Sequence, residues 1–420
     1  MRFGRMLIAA ALATGLTATA NADPVALSFW YPVDVGGGLT KVVDGLIADF
    51  NKAHPDIKVT AVYTGNYDVT LQKIQAGKLA GALPDIAVTE ISSVPVLAAL
   101  GAAQPLDKLI AGSGGATFLD KFWPSMLLNC RYDGKVYGIP FQRSTPVLYY
   151  NRDAFSEVAL DPNRPPETWD EMVADAQKLT KREGDRVTRW GVELPLEAFN
   201  WFYYALVYEN GGESLSADGT HVLWDQPKDV GALQYWYDLV NKYKVTPAYT
   251  PWNDGPQEFV AGRAAIIWHS TGSQSFMRQH VQFHWGLGRL PKNVQFGPPS
   301  GGANMMLYDT DPAKQKAAWT LMTWLSDAPQ AARWSAATGY LATSMAAWDE
   351  PEMQALIKEH PEVLVTKEQL KDAKAEPASP NYAPARDILN GLIKAVLANK
   401  EPLEDGVKQA TAEANGAMAK

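Results

Sequence analysis

The sequence predicts an α/β protein of two lobes, each built from discontinuous segments. Strand and helix signals alternate from residue 27 onward, and their β-α-β-α-β order predicts a mostly parallel sheet with helices on both faces. The chain has 420 residues, of which 46% are hydrophobic, and is therefore long enough for two domains. Because no internal repeat or long linker divides the sequence, we expect several crossings between the lobes.

The first elements follow from short local patterns. Residues 27–31 alternate as a strand, and residues 40–50 carry apolar side chains at helical spacing. Residues 57–63 predict the next strand, 69–79 the next helix and 84–88 a further buried strand. These five elements form the start of one lobe.

A second α/β lobe is predicted to begin near Thr168, which stands three residues before Glu171 as a capping box at the start of a helix. Further along, residues 259–267 predict a helix end, a turn and a buried strand, and a glycine-led strand follows at 301–307. We therefore expect a division into two discontinuous lobes. The first would comprise 23–140 plus 262–300, and the second 141–261 plus 301–420.

The N-terminus has the pattern of a secretory signal. Arg2 and Arg5 precede an apolar run, and small residues lead to Ala20 and Ala22, which predicts a signal peptide over 1–22 that is cleaved before Asp23. The apolar run is too short for a membrane span, which favours a soluble secreted product. Removing 1–22 takes two positive and no negative charges, so the formal charge changes from -8 to -10. An acidic chain of this kind disfavours nucleic acid and anionic membranes as partners.

Residue counts restrict the chemistry further. The single cysteine, Cys130, can form neither an internal disulfide nor a thiolate metal site, and we expect it to be a small buried residue. The 14 tryptophans and 17 tyrosines supply core rings, and proteins that bind sugars or polyols also place such rings in clefts.

Most catalytic motifs are absent from the sequence. It contains no G-x-x-x-x-G-K-[ST], H-E-x-x-H or G-x-S-x-G motif, and Gly286-Leu287-Gly288 does not continue as a dinucleotide fingerprint. His280 and His284 stand four residues apart but lack a third ligand nearby, so we interpret them as surface histidines. We therefore expect no cofactor and no metal. A carboxylate pair for glycoside hydrolysis stays open, because its separation is a three-dimensional quantity.

Several motifs spread over the mature chain carry a family resemblance. They are Phe29-Trp30, Pro84-Asp85-Ile86, 146–155, 165–169, 259–265 and 338–341. With these motifs the chain resembles the family 1 extracellular solute-binding proteins of ABC importers, of the larger two-lobed type II that includes maltose-binding protein. The resemblance implies a ligand cleft between the lobes, and a strand over 141–151 that crosses from one lobe to the other with its hydroxyls facing the cleft. It also implies a periplasmic protein that is not an enzyme and that delivers a small molecule to permease subunits.

A narrower set of motifs resembles the members of this family that bind sn-glycerol-3-phosphate. These motifs are 65–67, Glu90 after the strand 87–89, 144–146, 301–303 and 381–386. The ligand contacts that the resemblance implies are Tyr67, Glu90, Ser144, Ser270, Gly302, Tyr340 and Arg386. The sequence departs from the pattern of that subgroup at Tyr31, Arg143 and Ala342.

The chemistry of the implied set suits a phosphate ester. A phosphomonoester carries about -1.5 to -2 charges and needs a cation with several neutral donors. Arg386 offers the planar fork, and a glycine lets the backbone come close to the ligand. The donors that would complete the shell are Tyr67, Ser144, Ser270 and the Gly302 amide. Glu90 would accept hydrogen bonds from glycerol hydroxyls, while Tyr340 and Trp201 would lie against the carbon backbone.

The sequence therefore predicts a monomeric periplasmic binding protein for sn-glycerol-3-phosphate or a glycerophosphodiester. Two alternatives stay open at this point. The same scaffold can bind an uncharged sugar or polyol, in which case Arg386 would lie away from the cleft. A secreted carbohydrate-active enzyme is the more distant alternative, and it would turn its ligand over.

Overall fold

A computed structural model describes residues 23–36, 38–196 and 200–419, so the predicted signal peptide lies outside the described residues. Two sheets organise the chain. The larger has five strands, in the order Ile57–Tyr63, Val25–Tyr31, Ile86–Glu90, Gly301–Leu307 and Gly138–Ser144. The smaller has three strands, in the order Ile266–Ser270, Pro146–Asn151 and Trp285–Gly288.

The prediction of parallel pairing holds for only part of the fold. The first three strands of the larger sheet are parallel, as the β-α-β-α-β order predicted. Gly301–Leu307 pairs antiparallel with both of its neighbours, and the three-stranded sheet is antiparallel throughout. The direction of a distant strand depends on long-range pairing, which a local sequence pattern does not encode.

Strand pairing also corrects the predicted division into lobes. Ile266–Ser270 and Trp285–Gly288 pair with Pro146–Asn151, so 262–300 contributes its strands to the second lobe and not to the first. Gly301–Leu307 lies inside the sheet of the first lobe. The predicted boundary failed because both segments pair with strands more than a hundred residues away.

Helices cover both lobes. Those around the larger sheet and its C-terminal extension are Leu39–Ala53, Tyr67–Ala80, Ser93–Ala99, Asp107–Gly112, Ala116–Leu119, Pro312–Leu325, Ala328–Thr338, Pro351–Glu359 and Leu364–Gln369. Those around the smaller sheet are Arg152–Glu157, Trp169–Leu179, Trp201–Glu209, Pro227–Tyr237, Gly255–Val260, Gln274–His280, Tyr382–Leu397 and Leu403–Met418.

Short elements complete the description. They are the helical turns Pro124–Leu127, Asp238–Lys242, Thr271–Ser273, Met345–Asp349 and Pro361–Val363, and the two hairpins Arg131–Tyr132 with Lys135–Val136 and Lys181–Glu183 with Arg186–Arg189. Within the ranges given above, no helix is both long enough and apolar enough to cross a bilayer.

Each lobe has its own apolar core. In the first, Phe29, Ile139 and Met305 belong to one buried cluster with the facing helices. In the second, Trp224 and Trp268 belong to a separate cluster that also contains residues of the two C-terminal helices. Separate cores allow each lobe to move as a rigid unit.

Local signals that the sequence predicted are present. The Thr168 hydroxyl accepts a hydrogen bond from the Glu171 amide at 3.2 Å, as a capping box requires. Asn151 starts the next helix after its strand, because its side-chain oxygen accepts from the Ala154 amide at 2.9 Å. Cys130 is 1% exposed, and burial raises the pKa of its thiol to about 11.

Candidate functional site

A cavity lined by residues of both lobes lies between them, in the interdomain position that small-molecule sites often occupy. It brings together seven of the eight residues that the sequence analysis proposed. These are Tyr67, Glu90, Ser144, Trp201, Ser270, Gly302 and Tyr340. Their contact with a ligand stays a proposal, and Arg386, the eighth, is described below.

The sheet of the first lobe places the polar groups along one edge. Glu90 and Ser144 are the last residues of their strands. The strand that starts at Gly301 runs antiparallel between those two strands, so its first residues lie at the same edge. Ligands of open α/β sheets bind at such carboxyl ends of strands.

A single residue, Thr145, joins strands of the two sheets next to the cavity residue Ser144. The strand Gly138–Ser144 belongs to the first sheet and Pro146–Asn151 to the second. Gln369 fixes this link, because its side-chain amide donates to the Thr145 hydroxyl and to the Pro146 carbonyl, each at 3.0 Å. The crossing strand implied by the family resemblance is therefore present, with Ser144 facing the cavity.

Two glycines bring the backbone up to the cavity. Gly302 has a φ of +87°, and a Cβ there would lie 1.9 Å from the Gln142 carbonyl oxygen. A Cβ at Gly301 would lie 2.4 Å from a ring carbon of Trp201. Only glycine fits both positions, and the result is close contact between a first-lobe strand and a second-lobe indole.

A buried glutamine orients the two tyrosines. The Gln142 side-chain amide donates to the hydroxyl oxygens of Tyr67 at 3.1 Å and of Tyr340 at 2.9 Å. Burial raises the pKa of Tyr340 to about 12, so its phenol is neutral at physiological pH. Both rings therefore reach the cavity as neutral hydrogen-bonding groups in a fixed orientation.

Arg386 reaches the cleft from the second lobe. Its helix is Tyr382–Leu397, and its Nη2 donates to Asp68 Oδ1 of the first lobe at 3.3 Å. The Arg386 side chain is 14% exposed; it lies beside the cavity, next to Asp68, which lines the wall. Burial lowers the pKa of Arg386, but the nearby carboxylates of Asp68 and Glu90 raise it, and the net change is upward. The guanidinium therefore stays charged.

The structure adds residues that the sequence analysis missed. The additional lining residues are Asp34, Val35, Asn66, Asp68, Trp252, Gly301 and Glu376. Asn66, Asp68 and Gly301 adjoin predicted site residues, and that adjacency was the signal for them. Trp252 and Glu376 lie in loops, where no periodic pattern indicates which way a side chain points.

Trp252 connects the lobes at the edge of the cavity. Its indole N–H donates to the Asp34 carbonyl at 3.0 Å. The Trp252 ring stacks on His269 with 3.8 Å between centroids, and the Trp201 ring lies 6.3 Å away at 60°. Burial lowers the pKa of His269 to about 3, so this stack is uncharged.

Carboxyl groups outnumber cations around the cavity. Asp34, Asp68, Glu90 and Glu376 line it. Burial raises the pKa of Glu90, and hydrogen bonds from Ser92 oppose that rise. Burial and the charge of Glu90 raise the pKa of Glu376 well above its usual range.

A second guanidinium lies behind the cavity. Arg143 is fully buried and donates to Asn304 Oδ1 at 2.8 Å and to the Ser300 hydroxyl at 2.6 Å. Burial lowers its pKa, while the charges of Glu90 and Glu376 act in the opposite direction. It pairs with Gly302 in the neighbouring strand, which places it beside the glycine segment.

Two lobes with separate cores, a one-residue crossing at Thr145 and an intervening cavity lined by charged and aromatic side chains define a binding protein that closes around a small molecule. The chain belongs to the bacterial extracellular solute-binding protein family, whose model matches residues 45–363. Members of this family are solute-binding components of ABC importers that act outside the cytoplasmic membrane, and they are not enzymes.

The individual relatives include proteins named for sn-glycerol-3-phosphate and a protein named for a sugar. The chain is 28% identical to the sn-glycerol-3-phosphate-binding periplasmic protein UgpB of Pectobacterium atrosepticum, over 98% of this chain and 95% of that protein. The identity to UgpB of Shigella dysenteriae is 30%, over 84% and 82%. UgpB of Mycobacterium tuberculosis, solved with glycerophosphocholine, superposes with a TM-score of 0.82 at 20% identity over 95% of this chain and 99% of that one. A cyclic maltosyl-maltose binding protein of Arthrobacter globiformis gives 0.81 at 24% over 94% and 99%.

Proposed function

We propose that this protein binds sn-glycerol-3-phosphate or one of its diesters in the interlobe cavity and presents it to the permease of an ABC importer. The observation that carries the proposal is the position of Arg386. It is a mostly buried guanidinium that reaches the cleft from one lobe and hydrogen-bonds Asp68 of the other. An anion in the cavity would compete with Asp68 for this planar fork.

The other groups divide between the two ends of such a ligand. Ser144, Ser270 and the backbone at Gly302 are neutral groups beside the cavity, suited to phosphate oxygens. Glu90 would repel a phosphate and instead accepts hydrogen bonds from glycerol hydroxyls. The Trp201 ring offers an apolar face for the carbon chain. The likeness in sequence to proteins named for sn-glycerol-3-phosphate supports this division.

An uncharged sugar or polyol is the second candidate. Four carboxyl groups and two tryptophans line the cavity, and carboxylates and rings are also the groups that bind sugar hydroxyls and sugar faces. Under this alternative, Arg386 remains paired with Asp68 and its charge is not used by the ligand.

A ligand panel read by intrinsic fluorescence separates the candidates, because Trp201 and Trp252 line the cavity. We expect saturable signals from sn-glycerol-3-phosphate and glycerophosphocholine. Free glycerol and maltose should give none, since they lack the anionic group that Arg386 and the neutral donors would bind. Inorganic phosphate should bind weakly, because it lacks the hydroxyls that Glu90 accepts. Saturation by maltose without a signal from sn-glycerol-3-phosphate would replace the phosphate assignment with the sugar one.

The proposal extends to export and assembly. We infer that residues 1–22 are a signal peptide and that the mature chain starts at Asp23 and acts as a monomer. N-terminal sequencing of exported protein should read from Asp23, and light scattering should give the mass of one chain. An intact Met1 in exported protein would contradict the cleavage.

A further inference from the structure

Glu376 is a cleft residue with an unusual setting. It lies in the segment 371–381, which leads from the helices around the first lobe to the helix Tyr382–Leu397 of the second. Its residue is 5% exposed and its side chain lines the cavity. Asn129 holds its backbone at both ends, accepting from the Glu376 amide at 3.0 Å and donating to its carbonyl at 2.9 Å. The backbone at Glu376 is therefore held to the first lobe, and its side chain extends from there to the cavity.

The two buried glutamates of the cavity differ in their hydrogen bonds. Glu90 accepts from the Ser92 amide at 2.9 Å on each oxygen, and from the Ser92 hydroxyl as well. Among the hydrogen bonds of the described residues, none involves the Glu376 carboxyl group. A buried carboxylate without donors is costly, and a nearby like charge adds to the cost. Of this pair, Glu376 therefore holds a proton more tightly.

Several charged and titratable groups surround the Glu376 carboxyl. The groups that interact electrostatically with the Glu376 carboxyl are Glu90, Arg143, Arg386, Tyr204, Tyr208 and Tyr382. On its other side Glu376 also borders a second cavity, whose charged residues are Arg131, Glu213 and Lys374. Burial and the Glu90 charge raise the pKa of Glu376, and the two buried arginines lower it without reversing that direction.

We propose that Glu376 takes part in ligand binding as a neutral carboxylic acid and donates its O–H to an oxygen of the anionic group. This inference rests on the proposed function. It explains how a cavity lined by four carboxyl groups accepts an anion, because one of the four supplies a hydrogen atom in place of a negative charge. The proton stays on Glu376 in the complex, so anion binding is linked to protonation of the free protein.

The test is the pH dependence of affinity for two probes. A phosphodiester such as glycerophosphocholine lacks the second phosphate ionisation near pH 6, and sn-glycerol-3-phosphate is fully dianionic from about pH 7.5 upward. We expect the wild-type affinity for both probes to fall as pH rises through the Glu376 titration, approaching about tenfold per pH unit for one linked proton. Glu376→Gln keeps a neutral donor of the same shape, so its affinity should stay nearly constant over the same range.

Calorimetry in two buffers of different ionisation enthalpy gives a second readout. Wild-type protein should take up protons on binding at alkaline pH, up to about one per ligand, and Glu376→Gln should take up none. Glu209→Gln is the matched control. Glu209 is also fully buried with a raised pKa, but its partner is the Trp169 indole at 3.2 Å, away from the cavity. This control should keep the wild-type pH profile.

The outcomes separate the inference from the proposed function. If wild-type protein binds the glycerophosphates and Glu376→Gln keeps the same pH slope and proton uptake, the role of Glu376 is wrong and the ligand assignment stands. A wild-type affinity for the glycerophosphates that does not change with pH would likewise mean that the role of Glu376 is wrong. If wild-type protein binds maltose and neither glycerophosphate, both the ligand assignment and the role of Glu376 are wrong.

Discussion

The two walls of the cleft differ in chemistry. The first lobe contributes acidic and backbone groups at strand ends, in the loop after its first strand and at a helix start, among them Glu90, Gly302, Asp34 and Asp68. The second lobe contributes two tryptophans, the Ser270 hydroxyl and the Arg386 guanidinium. The acidic residues that can accept hydrogen bonds from hydroxyls at strand ends lie on the first wall, while the guanidinium and the two indoles lie on the second.

This difference indicates how affinity depends on closure. Neither wall alone offers both a hydroxyl acceptor and a fixed cation, so a ligand with both kinds of group is satisfied only when the lobes meet. A ligand biases the equilibrium towards the closed state by as much as its contacts differ between the two states. Contacts to both walls at once make that difference large.

Removing the cation of the second wall should have the largest effect. Hydrogen bonds to charged groups contribute roughly 1.5–3 kcal/mol, so Arg386→Ala should weaken sn-glycerol-3-phosphate binding by about 10- to 100-fold. Calorimetry gives the dissociation constant, and thermal unfolding checks that the fold is intact. Arg164→Ala is the control, because Arg164 is an exposed second-lobe arginine paired with Glu171.

An unchanged dissociation constant in Arg386→Ala would mean that the second wall offers no anion site. The variant Arg386→Lys then tests whether the planar shape of the guanidinium matters in addition to its charge. Lysine keeps the charge and loses the planar fork, so an affinity between those of wild type and Arg386→Ala is expected for a phosphate held at two points.

Two buried carboxyl groups, Asp85 in the first lobe and Asp229 in the second, differ in their hydrogen bonds. In the first lobe, Asp85 accepts from Lys314 at 2.9 Å and from the Ser28 amide and hydroxyl. In the second, Asp229 accepts a 3.2 Å bond from the Ser214 hydroxyl, and burial raises its pKa to about 8. Burial likewise raises the pKa of Glu193 to about 7.

For an acid with a raised pKa, the folded state binds the proton more tightly, so the stabilisation is complete below the unfolded pKa and is lost as pH rises through the folded one. The unfolding free energy should therefore fall between about pH 4 and pH 8, by about 1.4 kcal/mol per unit of pKa difference. Asp229→Asn should flatten this slope in urea titrations, and the exposed Asp218→Asn should leave it unchanged. A rise in stability over this window would contradict the assignment.

The smallest expected effect concerns the contact between the walls at Trp252. Trp252→Phe keeps the ring and removes the donor to the Asp34 carbonyl. A hydrogen bond of this kind contributes about 0.5–1.5 kcal/mol, so the closed state should lose stability and ligand affinity should fall by about two- to tenfold. Small-angle scattering should show a larger radius of gyration in the ligand-free variant. An unchanged radius and affinity would mean that this bond does not hold the lobes together.

Local order was predictable from the sequence, and long-range pairing was not. The pattern over 27–31 predicted the strand Val25–Tyr31, and that over 40–50 predicted the helix Leu39–Ala53, because both depend on side-chain periodicity. The assignment of 262–300 to the first lobe failed, because sheet membership depends on a partner far away in sequence.

The candidate site shows the same limit. Ser144 and Gly302 belong to motifs with a distinct composition, and the structure places both at the cavity. Trp252 and Glu376 come from loops, and only the folded chain brings them to the same cavity. Their side chains carry the interlobe contact and the proposed neutral donor, and no local sequence pattern predicts either role.

The place of Gly301–Leu307 in the strand order bears on how the chain is made. This strand lies between Ile86–Glu90 and Gly138–Ser144, so the edge strand Gly138–Ser144 cannot join the other strands of the first-lobe sheet until residue 307 has been synthesised. Pairing between such distant segments is slow, because a long loop must close before the contacts form. A growing chain therefore remains without a complete first lobe for most of its synthesis, and an exported protein has that interval in which to cross a membrane as an unfolded polymer.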